Sequence, residues 1–194
     1  RTWKILRPGD LVIDLGAWPG GWIQVAAKAV GPRGQVVGID LVRVESLPHT
    51  NVTLLQGDAR DPRLQRLIRE QLGRKPDVVL SDMAPKISGI RETDEAKSTE
   101  LCDVALNCCH SLLKKGGLFV VKVFINEQYS PFMHKLAGTF SGVKASRPVS
   151  TRKGSAEAYI MASDFLMNVV EKDGPSESAS SHIHKSSPRT DTDG

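Results

Sequence analysis

A single lysine stands inside an otherwise apolar run, Leu118–Phe124 (LFVVKVF). A charge at Lys122 is costly in such a strand unless a carboxylate compensates it. Two acids occupy similarly placed segments: Asp82 closes the run DVVLS, and Glu157 opens the run EAYIMA. If the sheet is parallel there, these carboxylates on flanking strands supply the partners. The alternative is a lysine that snorkels its ammonium to water. Asp14, Asp40, Asp58 and Asp82 all fall at or just beyond the ends of expected strands, a coincidence that core packing does not explain. The stretch Leu11–Trp22 (LVIDLGAWPGGW) reads as a strand entering a glycine-rich turn and then a helix. Such a turn sets backbone N–H groups and a helix N-terminus beside a crevice suited to an anionic or nucleotide ligand. Gly16, Gly20 and Gly21 allow a ligand close to the backbone, while Pro19 restricts the turn and removes one donor.

The elements that must position these residues alternate along the chain. After the strand at Leu11–Leu15 and a helix over Trp22–Val30, strands are expected at Gln35–Leu41 and Val52–Gln56. An amphipathic helix follows over Pro62–Leu72, with Leu64, Leu67, Ile68 and Leu72 at helical spacing. A fourth strand covers Asp77–Ser81, a polar loop residues 83–94, and a long helix Glu95–Lys114, capped by Gly116 and Gly117. A fifth strand runs over Leu118–Phe124. A helix over Ser130–Phe140 and strands at Val143–Arg147 and Ala156–Ala162 complete the pattern. Continuous apolar strands separated by helices predict an α/β fold, a mostly parallel sheet with helices on both faces. Ligands of such sheets bind at the C-terminal strand ends.

The chain of 194 residues fits one domain over 1–165 and a tail over 166–194. From Gly174 that tail is rich in Ser, Pro and charge, and disorder is expected there. His182 and His184 fall in it without clustered ligands, so no metal site is expected. Residues 1–170 hold 23 basic and 17 acidic residues, a balance compatible with a nucleic-acid partner. No apolar run is long enough to span a membrane. Cys102, Cys108 and Cys109 are odd in number and lack ligand spacing. They are read as buried, reduced thiols of one helix, as in a reducing cytoplasm. The chain begins at Arg1, only ten residues before the first strand, and truncation upstream is expected. No feature of the sequence reports an oligomeric state.

The turn Gly16-Ala17-Trp18-Pro19-Gly20-Gly21 matches neither GxGxxG nor GxxxxGK[ST]. DLGAxPGGW instead resembles the first motif of class I S-adenosylmethionine-dependent methyltransferases. Together with SDMAP and the following Ser88-Gly89, with VVKVF, and with the EAYI ending, the region from Leu6 to Ala162 resembles the FtsJ-like ribose 2′-O-methyltransferases. The resemblance implies a Rossmann-like seven-stranded fold and S-adenosylmethionine as cofactor. It implies that Asp14, Gly16, Trp18, Pro19, Gly20, Gly21 and Trp22 surround the methionine portion. Asp40, with Leu41, would receive the ribose hydroxyls, and Asp58, with Ala59, the adenine amine. Asp82 would serve both cofactor and catalysis. Carboxylates suit diols and amines because they are pure acceptors. Asp82, Lys122 and Glu157 match three members of the family's Lys-Asp-Lys-Glu tetrad. The context of the first lysine is absent, and Lys4 in TWKIL stands too near the first strand to replace it.

The implied reaction is in-line transfer of the sulfonium methyl to a ribose 2′ oxygen. The SDMAP form points to a uridine of large-subunit ribosomal RNA, in bacterial-like cytoplasm. The alternatives are a tRNA ribose methyltransferase, or a catalytically silent RNA-binding or assembly module motivated by the missing lysine. A small-molecule methyltransferase fits Lys122 between two carboxylates less well. Lys86, Arg91, Arg147, Arg152 and Lys153, grouped near the expected strand ends, would contact RNA phosphates. Two residues depart from the family pattern. Trp18 replaces a small residue and is expected to be packed, and Lys86 replaces a frequent Asn.

Overall fold

The computed structural model describes residues 5–86, 88–146 and 157–166. The expected tail beyond Leu166, together with Lys4, Arg147, Arg152 and Lys153, lies outside the described residues. The elements run β1 (Leu11–Leu15), α1 (Gly21–Val30), β2 (Gln35–Asp40), β3 (Val52–Gln56), α2 (Pro62–Leu72), β4 (Val78–Ser81), α3 (Arg91–Leu112), β5 (Leu118–Phe124), α4 (Tyr129–Thr139), β6 (Phe140–Ser146) and β7 (Glu157–Phe165). They build one seven-stranded sheet of order β3-β2-β1-β4-β5-β7-β6.

β1 to β5 pair in parallel, as expected. β7 differs, running antiparallel to both β5 and β6. This direction sets Glu157, the first residue of β7, opposite Phe124 at the end of β5, and Tyr159 opposite Lys122. A parallel strand would have carried Glu157 to the far end of the sheet. Several boundaries also differ from the sequence reading, most of them by one or two residues, and two starts move by three or four. α3 begins at Arg91 rather than Glu95, because Glu92 and Asp94 in its first turn favour the positive end of the helix. Arg91 is therefore a helical residue and not part of the loop. β6 begins at Phe140, directly after α4, since Phe140 already pairs with Phe165.

Strand alternation divides the core into two layers. Ile13, Leu15, Val79, Phe119, Val121 and Val123 face α2, α3 and α4. Val12, Val36, Val78, Leu80 and Val120 face the side of α1. α1 sits tightly on β2 because residue 38 is glycine. A Cβ there would come within 2.3 Å of Ile23 Cδ1. The three cysteines are buried in α3. Burial, helped by Asp103, pushes the Cys102 thiol up to about 12, and burial pushes Cys108 to about 11, so both stay protonated and inert.

Asp77 ties the opposite end of the sheet together. Its Oδ2 accepts the Leu11 N–H at 2.8 Å, and the carboxylate pairs with Arg74 and Lys114. Burial raises its pKa, but these donors outweigh burial and hold it below the ordinary carboxylate value. A depressed value contributes stability that is present at neutral pH and lost as pH falls through the folded pKa. Asp77→Asn should lower stability at pH 7 by about 1–3 kcal/mol, with the difference narrowing toward pH 3 in urea titrations. An equal gap at both pH values would contradict this.

Candidate active site

The same alternation that builds the core selects one face for chemistry. Asp14 follows Val12 on the α1 side of β1, and Lys122 follows Val120 on the α1 side of β5. Directly opposed residues of an antiparallel pair share a face. Tyr159 and Glu157 therefore join Lys122 there. Asp82 follows β4, and Lys122 Nζ lies 2.7 Å from its Oδ1. The contact is a short ion pair. Nζ also donates to the Asp82 carbonyl at 3.4 Å. The Lys122 side chain is only 12% exposed, so the expected snorkelling alternative does not apply. Of the two carboxylates expected beside Lys122, only Asp82 pairs with it within 4.0 Å; Glu157 shares the face without closing an ion pair.

Asp14 is fully buried, and neither of its oxygens has a hydrogen-bond partner among the described residues. Burial, then the charges of Asp82 and Asp40, push its pKa up to about 7. A buried carboxylate without a donor is expensive, and a cationic ligand would relieve that cost. Beside it, Gly16 adopts φ +78°, and a Cβ there would lie 2.7 Å from the Met83 nitrogen. The turn after β1 is thus pressed against the segment that carries Asp82. Gly20 precedes α1 at φ 110°, and no side chain caps this helix, leaving its N-terminal donors open to a ligand.

Asp40 ends β2 and gathers the rim of this turn. Its Oδ2 accepts the Trp18 N–H at 2.9 Å and its Oδ1 the Val42 N–H at 2.8 Å. Each oxygen keeps lone-pair capacity for a further donor. Trp18 corrects the expectation of packing: it is 57% exposed, because its backbone is tied to Asp40 at the rim and its ring has no core to enter. Leu41 is likewise exposed, whereas Ala59 is buried. Asp58 is engaged by its own neighbour. The side chain and N–H of Arg60 bind both of its oxygens and hold its pKa low, while Arg60 also reaches Glu100. An open cleft of about 800 Å³, lined by Arg43, Leu47, His49, Leu54 and Gln56 among others, runs beside β3 and away from Lys122.

Lys86 is exposed in the loop after Asp82. Asp94 of α3 pins this loop by accepting from Ser88 N at 2.8 Å, Ser88 Oγ at 2.7 Å and Gly89 N at 3.1 Å. Arg91 is spent on Glu95 at 2.7 Å. The sequence reading assigned no role to Tyr159. Its ring lies 5.6 Å from that of Trp22, and burial with the nearby Asp82 and Glu157 raises its phenol pKa. The period-two pattern of EAYIMA, with Glu157 and Tyr159 on one face, was the available signal.

The strand order, with its one reversed strand, and a glycine turn beside acids at the strand ends define a class I methyltransferase. A structure of Aeropyrum pernix fibrillarin with bound S-adenosylmethionine shares this fold at TM-score 0.58 and 19% identity, over 81% of this chain and 68% of that one. Residues 1–165 match the FtsJ-like methyltransferase family, and the chain belongs to it. The ribosomal RNA large subunit methyltransferase E of Methanothermobacter thermautotrophicus is 40% identical over 165 residues, 85% of this chain and 78% of that protein. Its Bdellovibrio bacteriovorus counterpart is 42% identical over 162 residues, 83% of this chain and 82% of that protein. A ribosomal RNA methyltransferase structure from Plasmodium falciparum superposes at TM-score 0.72 with 25% identity, covering 83% of this chain and 89% of that one. The chain is thus an enzyme, an S-adenosylmethionine-dependent methyltransferase, as its motifs implied. No helix among the described residues is long and apolar enough to cross a membrane.

Proposed function

We propose that the chain methylates a ribose 2′ oxygen of large-subunit ribosomal RNA, at a uridine, in the cytoplasm. The observation that carries this is the Lys122–Asp82 ion pair at the strand ends, beside the partnerless Asp14. The names of the relatives from Methanothermobacter and Bdellovibrio support the substrate class.

S-adenosylmethionine, when bound, supplies an electrophilic methyl on a cationic sulfur. The residues fit it: Asp14 offers two acceptor oxygens without hydrogen-bond partners among the described residues, and the open N-terminus of α1 offers donors for a carboxylate. Gly16, Pro19, Gly20, Gly21 and Trp22 form the wall beside the methionine portion, with Trp18 at the rim. Asp40, next to Leu41, would accept from the cofactor ribose hydroxyls. Asp58, next to Ala59, reaches an adenine amine only by exchanging part of its contact with Arg60.

Lys122 holds the acceptor hydroxyl in line and polarises it. Its ammonium, paired with Asp82, cannot accept a proton but stabilises negative charge developing on the 2′ oxygen. Asp82 orients Nζ and drains the hydroxyl proton toward solvent, and Glu157 sits across the acceptor side of the same face. Lys86 meets RNA phosphate, with Arg147, Arg152 and Lys153 as further candidates; Arg91 would have to leave Glu95 first.

The test supplies methyl-labelled S-adenosylmethionine with large ribosomal subunits, free ribosomal RNA and tRNA, and maps the label. Label on a ribose of large-subunit RNA is expected. Label on tRNA alone would overturn the proposed substrate.

A further inference from the structure

We propose that the end of the sheet opposite the active site is a second docking surface for ribosomal RNA. It would engage phosphates of a segment other than the one methylated. The proposal rests on the reading of ribosomal RNA as substrate.

Four connections meet at that end. Gly9 N–H donates to the Val30 carbonyl, Arg74 reaches the Gly9 carbonyl, and Lys114 N–H donates to the Pro76 carbonyl. Each connection contributes cations: Arg7 before β1, Lys28 and Arg33 around the end of α1, Arg74 before β4, and Lys114 and Lys115 before β5. Two of the carboxylates here are already engaged. Asp77 is 11% exposed and is shared by Arg74 and Lys114, while Asp10 accepts the Arg7 N–H. Among the described residues Glu70 and Asp164 are the exposed acids nearby. The surface therefore presents a surplus of positive charge.

The active-site end has the opposite balance. Among the described residues Asp14, Asp40, Asp58, Asp82 and Glu157 gather there, Arg60 and Arg91 are already paired with carboxylates, and Arg43 and Lys86 are the exposed cations. Seven residues of β5 separate the ends by roughly 20 Å at strand rise. The two ends face opposite ways, so the strand entering the mouth does not also lie on the basic end. A folded ribosomal RNA, much larger than the enzyme, presents separate phosphate ridges to both. An acidic ribosomal protein is the competing partner. RNA is favoured because it is the proposed substrate and a polyanion, whose phosphates can each engage one of several separate cations.

The test compares the wild-type chain with the triple variant Lys28→Gln, Arg33→Gln, Lys115→Gln. All three side chains are exposed and outside the ion pairs of the fold. Affinity for naked large-subunit ribosomal RNA at about 0.15 M salt should fall on the order of 10–100-fold. The slope of log affinity against log salt should become shallower by roughly two to three. S-adenosylmethionine affinity should not change, which also reports an intact fold. An unchanged slope overturns the proposal. So does a loss of affinity for assembled subunits with none for naked RNA, which would assign the surface to a ribosomal protein. Binding is read without turnover. Absence of methyl transfer by the wild-type chain would therefore sink the substrate reading while this comparison still decides the surface.

Discussion

Lys122→Ala is expected to reduce methyl transfer by roughly 10²–10⁴-fold while S-adenosylmethionine affinity stays within about threefold or tightens. The asymmetry follows from what Lys122 touches. Its ammonium contacts Asp82, 2.7 Å away, and shares a face with Tyr159 and Glu157. Removing it deletes the cation proposed to hold the 2′ oxygen. It also leaves Asp82 uncompensated beside Asp14, which makes the pocket more negative and favours a cationic ligand. Lys122→Arg should recover little, because a planar guanidinium does not reproduce a compact ammonium in this position. Single-turnover transfer and calorimetric cofactor binding, measured on the same preparation, separate the two effects. Wild-type transfer by the alanine variant would remove Lys122 from the mechanism. Loss of cofactor binding in parallel would make it a structural residue.

The second large effect concerns Asp14. Its folded pKa is raised from 3.8 to about 7. The folded protein then holds this proton more tightly than the unfolded chain does. Stability from this group is present below about pH 4 and declines as pH rises through about 7. The three-unit difference corresponds to a loss on the order of 4 kcal/mol by pH 8. A cationic ligand reverses the balance, since it favours the ionised form. Cofactor affinity should therefore rise with pH through about 7 and level off above it. Asp14→Asn removes the titration. It should unfold at higher temperature than the wild-type chain at pH 8 without cofactor, with a much smaller difference at pH 5. Its cofactor affinity should be roughly 10–100-fold weaker and flat with pH. Thermal unfolding across pH, with and without S-adenosylmethionine, measures all of this. A wild-type profile without a step near pH 7, or an asparagine variant that binds like the wild type, would show that Asp14 does not receive the cation.

The two ends of the molecule divide the electrostatic work. Acids at the C-terminal strand ends suit a sulfonium and an ammonium, and the same acids repel RNA phosphate. The proposed RNA contacts are accordingly assigned to cations outside this acid cluster. Lys86 and the residues over 147–153 flank the mouth in sequence, and the basic connections close the far end.

What the residues determined by themselves was local and periodic. Apolar runs set β1 to β5 nearly to the residue, and the spacing of Leu64, Ile68 and Leu72 set α2. The glycine turn, SDMAP, VVKVF and EAYI carried the family resemblance that named the class of chemistry, and Lys122 in a buried strand called for a carboxylate partner. The fold decided what depends on long-range pairing. Nothing local in EAYIMA states that β7 runs antiparallel to β5, yet that direction alone brings Glu157 to the active-site end and Tyr159 opposite Lys122. Local composition also cannot say that Asp58 is held by Arg60, that Arg91 starts a helix, or that Trp18 stands in solvent. Each of these depends on which neighbours arrive from distant parts of the chain or on which donor reaches a carboxylate first. Asp14 shows the division most plainly. Its place at the end of a strand is written in DLGAWPGG, but its pKa near 7 exists only because the closed sheet removes water and sets Asp82 and Asp40 beside it.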